Sequence, residues 1–132
     1  MKNGMLNSNI KYMLARMGHR DLLAVTDAGY NIPQNVETVD VALLPNIPTI
    51  MQVIEAIQLE VPIEKVYLAE EIRVQAPDIL ESYQSHFPDI EFQFLPHVPN
   101  FDQLVGACKG AIRSGQFYRH APNCVLKIGC VY

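Results

Sequence analysis

The fold is decided by the stretch LLAVTDAGYNIP, residues 22–33, and by the histidine that precedes it. The first five residues, LLAVT, are apolar until their end and have polar neighbours, which is typical of a strand buried on both faces. Asp27 follows this strand directly and leads into a turn of small residues and a proline. His19 precedes the same strand. The chain therefore places two ionisable side chains at the two ends of one buried strand.

Patterns of helices and strands alternate along the chain. Asn7 or Ser8 can cap a helix whose apolar residues recur every three or four positions, and Gly18 can end it. A second helix follows Thr49 and cannot run past the residue before Pro62. Further helices are predicted after Pro77 and over 101–108, and further strands over 38–44, 65–69, 90–95 and from Cys124 to the end of the chain. This order predicts an α/β fold, a layered α/β/α domain around a central mixed, largely parallel sheet.

The length and composition limit the possible classes of protein. A chain of 132 residues suits one domain, here residues 1–132, and leaves little room for a second core. Apolar residues make up 49% of the chain and charged residues only 18%, which is low for a small domain that stays soluble alone. We therefore expect other copies of the chain to cover part of the surface.

Charge and hydropathy exclude several kinds of partner. Ten Lys and Arg against fourteen Asp and Glu give a net charge of −4, without the basic cluster that nucleic acid requires. No stretch reaches the roughly 18 apolar residues of a membrane span, and the first residues lack the core of a signal peptide. The three cysteines show no CxxC spacing, which favours reduced thiols over disulfides or a zinc site. These features predict a cytoplasmic protein with neither a nucleic-acid nor a membrane partner.

Two candidate site residues follow predicted strands. Asp27 and His97 each come just after a strand, at the end where open α/β sheets bind ligands. His19 precedes its strand and should lie at the opposite edge, unless its loop folds back or a neighbouring subunit supplies the contact. Each residue also has a structural explanation: His19 can interact with a helix dipole, Asp27 can form a turn, and His97 can be an exposed loop residue.

The segment GQFYRHAPNC, residues 115–124, gathers polar and aromatic side chains before the last strand. Such a cluster suits a small polar ligand, although an ordinary surface loop has the same composition. The sequence lacks metal-ligand spacings, phosphate-binding glycine loops and the GxSxG nucleophile motif. With these kinds of site excluded, proton transfer by histidine and aspartate is the chemistry that remains.

Several short motifs, in order, carry a resemblance to a known family. They are GH near the end of the first helix, DAG followed by IP after the strand, and then MQV at 51–53, AEEI at 69–72, IRSG at 112–115 and PN at 122–123. In this order, over nearly the whole chain, the sequence resembles the D-ribose pyranase and L-fucose mutarotase family (RbsD/FucU). The DAGYNIP stretch resembles the ribose pyranase branch.

The resemblance implies an enzyme for free sugars. Members of the family interconvert cyclic forms of unphosphorylated sugars without a cofactor or metal, in ring-like octamers or decamers whose sites lie between subunits. It therefore implies conversion of D-ribopyranose to D-ribofuranose by His-mediated acid-base ring opening. L-fucose or another aldose is the alternative substrate. A sugar-binding module without catalysis, or a structural oligomer with a decayed pocket, are the alternatives outside enzymes.

The resemblance also implies roles for individual residues. His19 matches the family's catalytic histidine, Asp27 its sugar-binding aspartate and His97 its second histidine. An imidazole with a pKa near ~6.5 gives or takes a proton readily at neutral pH, which suits a reversible ring opening. A five-residue strand rises roughly 17 Å, however, so one sugar cannot span His19 and Asp27 unless the loop folds back or two subunits meet.

The loop before the last strand departs from the family pattern. It is one residue longer than the family's Tyr-Ala-Asn stretch and reads His-Ala-Pro-Asn. Asn123 matches the family asparagine, whereas His120 by position or Tyr118 by chemistry takes the place of the tyrosine. His120, Pro122 and Asn123 are thus expected to bind the sugar.

Overall fold

A six-stranded sheet forms the centre of the protein, for which a computed structural model describes residues 4–130. In chain order the strands are β1 (Leu22–Thr26), β2 (Glu37–Asp40), β3 (Ile63–Ala69), β4 (Glu91–Leu95), β5 (Gly110–Arg113) and β6 (Cys124–Ile128). Their spatial order is β2-β5-β1-β6-β3-β4. β1, the strand that precedes Asp27, is therefore central, with β5 on one side and β6 on the other.

The direction of the strands defines two different edges of the sheet. β6 pairs antiparallel with both β1 and β3, and all other pairings are parallel. The carboxyl ends of β1 to β5 therefore share one edge with the amino end of β6. This arrangement confirms the prediction of a mixed, largely parallel sheet.

Five α-helices accompany the sheet within residues 4–130. They are α1 (Ser8–Ala15), α2 (Ile50–Gln58), α3 (Ile72–Gln75), α4 (Pro77–His86) and α5 (Asp102–Gly106), with a π-helical turn, His97–Phe101, leading into α5. The predicted caps are present: Asn7 accepts the amide of Ile10, and Thr49 forms a capping box with Gln52. None of these helices is long and apolar enough to cross a membrane.

Two groups of buried side chains lie on the two faces of the sheet. The larger includes residues of α1, α2 and α4 together with Leu23 and Val25 of β1. The smaller includes Ala24 of the same strand, with Phe101 and Val105 from the π-helical turn and α5. Since alternate residues of a strand point to opposite faces, β1 is covered on both sides. The layered α/β/α prediction is confirmed.

Some predicted boundaries were wrong. The second strand ends at Asp40 rather than 44, because its partner β5 ends at Arg113 and leaves Val41 to Leu44 no strand to pair with. β5 itself was not predicted, and the predicted helix over 101–108 is shorter at both ends. The last strand ends at Ile128; residues 131–132 of the predicted strand lie outside the described residues.

Candidate active site

A cleft of about 740 Å³ opens at the edge where β1 and β4 end and β6 begins. This volume is within the range of small-molecule sites. Asp27, His97, His120 and Asn123 all line it, although they come from three separate parts of the chain. The remaining lining residues are Gly29, Tyr30, Asn31, Pro33, Asp102, Gln116, Phe117, Tyr118, Arg119 and Ala121. The structure thus brings together four of the six predicted site residues.

Asp27 stands at the inner wall of this cleft. Its backbone N–H donates to the Asn123 side-chain oxygen at 2.6 Å, which ties the end of β1 to the start of β6. The carboxylate atom Oδ1 is buried and has no hydrogen-bonding partner within residues 4–130. Burial raises the pKa of Asp27, while the N–H groups of Tyr30 and Gly29 oppose the rise. A buried oxygen without a partner is suited to a ligand hydroxyl.

Two histidines face this carboxylate. His120 and His97 are close enough to Asp27 that a positive charge on either imidazole lowers the pKa of this carboxylate, against the effect of burial. His97 is half-buried at the end of β4, and His120 is exposed in the loop before β6. The cleft therefore holds the carboxylates of Asp27 and Asp102 and two imidazoles, which can exchange protons with a polar ligand.

A network around Asp102 fixes one of these histidines. The Tyr30 hydroxyl donates to Asp102 Oδ1 at 2.5 Å, and the same oxygen lies 3.4 Å from His97 Nε2. The backbone N–H of His97 donates to Glu71 Oε1 at 3.0 Å. Burial, followed by the hydrogen bond to Asp102, raises the pKa of Tyr30 well above its ordinary value, so the phenol remains a neutral donor.

The loop of residues 116–123 forms the outer wall and is anchored at several points. It begins after Gly115, where any Cβ would collide with the backbone of Ile47. Arg119 donates two hydrogen bonds to the Asp78 carboxylate at the start of α4, one of them at 2.6 Å. This pair lowers the pKa of Asp78 to about 2. The fully buried Tyr83 donates its hydroxyl to the Pro122 carbonyl at 2.6 Å.

The last contact bears on the expectation that Pro122 binds the sugar, which stays a prediction. Pro122 is buried, is not among the residues that line the cleft, and its carbonyl accepts the Tyr83 hydroxyl. Asn123 is also buried but lines the cleft; its oxygen is used by Asp27, which leaves the two N–H donors of its amide. Tyr118 and His120, the two candidates for the family tyrosine, both line the cleft.

His19 lies at the other edge of the sheet. Its Nε2 pairs with Glu64 Oε1 at 2.9 Å near the start of β3, and the next residue, Arg20, donates its N–H to the Ile128 carbonyl at the end of β6. The loop from α1 therefore does not fold back over β1, and His19 does not line the cleft. Within one chain, the structure separates this histidine from Asp27.

Sequence reasoning missed Tyr30 and Asp102. Tyr30 is part of the DAGYNIP turn, three residues after Asp27, and this closeness to a strand end could have identified it. Asp102 was considered only as part of a predicted helix. The two residues are 72 positions apart, and no local pattern indicates that they meet.

Fold and cleft together define a small α/β protein in which carboxylates and imidazoles line one cleft. Comparisons with known proteins narrow this class. Residues 1–131 match the model of the RbsD / FucU transport protein family. The chain is 34% identical over 131 residues to the D-ribose pyranase of Limosilactobacillus fermentum, covering 99% of this chain and 98% of that protein. It is 35% identical over 128 residues to the D-ribose pyranase of Geobacillus thermodenitrificans, covering 97% and 96%.

Solved structures give the same result. Bacillus subtilis RbsD, solved in complex with D-ribose, superposes with a TM-score of 0.93 at 31% identity, over 100% of this chain and 99% of that chain. The fucose mutarotase of Streptococcus pneumoniae, solved with L-fucose, has a TM-score of 0.82 at 17% identity, over the full length of both chains, and shares the fold. The chain belongs to the RbsD / FucU family.

Proposed function

We propose that this chain is a D-ribose pyranase, which interconverts the pyranose and furanose forms of free D-ribose without a cofactor. The observation that carries the proposal is that Asp27 lines a cleft with two histidines while its buried Oδ1 has no hydrogen-bonding partner within residues 4–130. Relatives named D-ribose pyranase at 34% and 35% identity support the choice of reaction and sugar.

The reaction requires two proton transfers. The pyranose ring opens when the anomeric hydroxyl loses a proton and the ring oxygen gains one. The open-chain aldehyde then rotates and closes through a different hydroxyl, and this closure reverses the two transfers. No bond to a cofactor is made, and the rate gain required is of the size that positioned acids and bases supply, about 10²- to 10⁴-fold.

The cleft residues suit the binding part of this reaction. Asp27 accepts a hydrogen bond from a sugar hydroxyl through Oδ1, and the Asn123 amide donates to another. His97 and His120 bind further hydroxyls or share in the proton transfers. Pro122 acts indirectly, because its bond to Tyr83 holds the loop that carries His120 and Asn123.

We assign the proton transfer to the ring oxygen to His19 of a neighbouring subunit. The separation of His19 and the cleft within one chain supports this assignment, as does the exposed position of the imidazole, whose side chain is 41% exposed. The Glu64 carboxylate, 2.9 Å from Nε2, can hold the ring in place while it reaches a neighbour.

Such a site requires an oligomer, and we propose a ring-like octamer or decamer with sites between subunits. Apolar side chains are exposed on the loop beside the cleft, where Leu43 is 72%, Leu44 59% and Ile47 49% exposed. Exposed apolar groups clustered in this way are typical of protein interfaces. Phe117, which lines the cleft, is also 42% exposed.

The proposal extends to the domain organisation of the chain and to its compartment in the cell. We propose that residues 1–132 act as one domain in the cytoplasm. No disulfide joins the cysteines within residues 4–130, and Cys108 and Cys124 are buried thiols, which suits a reducing compartment.

Exchange NMR on free sugars tests the proposed reaction. D-ribose, L-fucose and other aldoses are each mixed with catalytic amounts of protein, and exchange between pyranose and furanose signals is measured. We expect acceleration that is greatest for ribose. If exchange is accelerated most for L-fucose, the result would indicate a hexose rather than ribose as the substrate. Binding of ribose without acceleration would indicate a sugar-binding module, and failure of every sugar to bind would indicate a structural oligomer.

A further inference from the structure

Two side chains from different parts of the chain meet one carboxylate oxygen of Asp102 in the cleft. Asp102 Oδ1, at the start of α5, accepts the Tyr30 hydroxyl and faces His97 Nε2 at 3.4 Å. Tyr30 comes from the turn after β1, and His97 from the turn after β4. Neither Tyr30 nor Asp102 has a role in the proposed proton transfers, although both line the cleft.

The His97 ring is held on several sides. Its backbone N–H is fixed by the Glu71 carboxylate, at 3.0 Å from Oε1 and 3.3 Å from Oε2. The ring packs edge-on against Phe101 with centroids 6.0 Å apart and tilts against Tyr30 at 6.3 Å. The two ring contacts limit rotation of the imidazole, whose Nε2 lies 3.4 Å from Asp102 Oδ1.

The chemistry of the carboxylate decides which nitrogen carries the proton. An ionised carboxylate only accepts hydrogen bonds, and the Tyr30 phenol supplies one of them. The contact with Nε2 is attractive when this nitrogen carries hydrogen, because a lone pair there would face a negative oxygen. In a neutral imidazole the other nitrogen, Nδ1, is then the one that accepts a proton.

We propose that Tyr30 and Asp102 are positioning residues for His97, which hold its imidazole in the Nε2–H form so that Nδ1 faces the sugar as a proton acceptor. The hydroxyl of Tyr30 keeps the Asp102 side chain from rotating towards solvent, where nearly half of that side chain is already exposed. This role rests on the proposed function, since it gives His97 its use in the sugar reaction. The coupling of the three side chains is nonetheless measurable without a sugar.

The test compares imidazole nitrogen chemical shifts in the full-length protein labelled with ¹⁵N-histidine. Nδ1 and Nε2 shifts distinguish the two neutral tautomers directly. The variants are Asp102→Ala, Tyr30→Phe and, as a matched control, Asp89→Ala, which removes an exposed aspartate before β4. Folding of each variant is checked by circular dichroism and its oligomeric state by size. Tyr30→Phe keeps the ring packing and serves if Asp102→Ala does not fold.

In the unaltered protein we expect the His97 signals of the Nε2–H tautomer. Asp102→Ala should abolish this preference, Tyr30→Phe should weaken it, and Asp89→Ala should leave it unchanged. In exchange kinetics, Asp102→Ala should lower kcat about 5- to 30-fold with KM nearly constant, because substrate binding remains while the base is misoriented. Unchanged tautomer signals in Asp102→Ala and Tyr30→Phe would overturn the proposal.

The two readouts separate this inference from the proposed function. If the tautomer responds to Asp102→Ala but the unaltered protein does not accelerate any sugar, the positioning of His97 stands and the ribose pyranase proposal fails. If ribose exchange is accelerated but the tautomer does not respond, the reaction stands and the role of Tyr30 and Asp102 fails.

Discussion

The two edges of the sheet differ in how many of the proposed site residues each one holds. At the cleft edge, Asp27, His97, His120 and Asn123 converge, and one buried carboxylate oxygen has no partner within residues 4–130. At the opposite edge, His19 is paired with Glu64 at 2.9 Å on an open surface. The first edge has a cleft with an unsatisfied acceptor within residues 4–130, and the second has a histidine whose Nε2 pairs with Glu64.

This difference follows from the strand directions. β1 is parallel to four of the other strands, so whatever follows it in sequence joins the carboxyl-end edge, and whatever precedes it joins the other edge. No adjustment of side chains can overcome the length of the strand, roughly 17 Å for five residues. The proposed shared site follows from this separation, since one chain cannot bring its own two edges together.

Loss of His19 should have the largest effect on activity. His19→Ala should lower exchange of ribose by about 10²- to 10⁴-fold, the range for loss of a general acid, while the protein stays folded and oligomeric. Exchange NMR and size measurements check both parts. Glu64→Gln is a companion variant: it removes the charge of the in-chain partner of His19 but keeps an amide oxygen and the imidazole, and we expect a smaller loss of activity than in His19→Ala. Unchanged exchange in His19→Ala would remove the opposite edge from the reaction.

Loss of the Asp27 charge should be the next largest effect. Asp27→Asn keeps the backbone contact with Asn123 but weakens the acceptor for the sugar, and exchange should fall about 10²-fold. Ribose titration should show weaker binding. Binding and exchange both at the level of the unaltered protein would show that the cleft is not the sugar site.

The same variant gives a pH test of stability. Burial raises the pKa of Asp27, so the folded state holds this proton more tightly than the unfolded state, and the contribution of Asp27 to the unfolding free energy declines as pH rises above about 3.9. Asp27→Asn removes that decline. We expect the variant to be at least as stable as the unaltered protein at pH 7 and to lose this advantage near pH 3. Urea unfolding at both pH values measures it; a less stable variant at pH 7 contradicts the burial of a charged Asp27.

Tyr83→Phe should lower the free energy of unfolding without removing any group that is proposed to contact the sugar. It leaves the buried Pro122 carbonyl without its donor, which typically costs about 1–3 kcal/mol of unfolding free energy. Urea unfolding measures the loss. Ile79→Val on the same helix is a control for small changes of packing, and an equal loss in both variants would mean that the hydroxyl contributes nothing.

Arg119→Ala should have the smallest effect. Its bond to Asp78 is exposed, so we expect little change in thermal unfolding but a several-fold rise in KM, because the loop carrying His120 is less well anchored. The pKa of Asp78 is about 2 with Arg119 in place, so the pair is intact over the neutral range and KM should not depend on pH through it. Asp78→Asn should raise KM in the same way. A change in KM for only one of the two variants would contradict the anchoring.

Much of the fold was accessible from sequence because local patterns determine it. The buried run before Asp27 and the caps at Asn7 and Thr49 were read correctly, since each depends on neighbouring residues. The boundaries of β2 and the existence of β5 were not predicted correctly, because both depend on a pairing between strands more than seventy residues apart. Sequence patterns contain no direct information on where a partner strand ends.

The candidate site shows the same limit. Asp27 and His97 were predicted because they follow strands, and the resemblance added His120 and Asn123. Tyr30 and Asp102 were missed because their meeting depends on the packing of α5 beside the turn after β1. The bond from Tyr83 to the Pro122 carbonyl was not predicted either, because it depends on the direction of the backbone in three dimensions.

Subunit complementation tests the central claim, that each site joins the cleft of one subunit to His19 of another. His19→Ala and Asp27→Asn chains with different tags are co-expressed, and mixed oligomers are isolated through both tags. Each variant alone should be nearly inactive. In random mixtures, about one interface in four combines an intact cleft with an intact His19, so exchange of ribose should recover to about a quarter. A mixture of Asp27→Asn with His97→Ala, which both affect the cleft, should recover nothing. No recovery in the first mixture, with mixed oligomers present, would contradict the shared site.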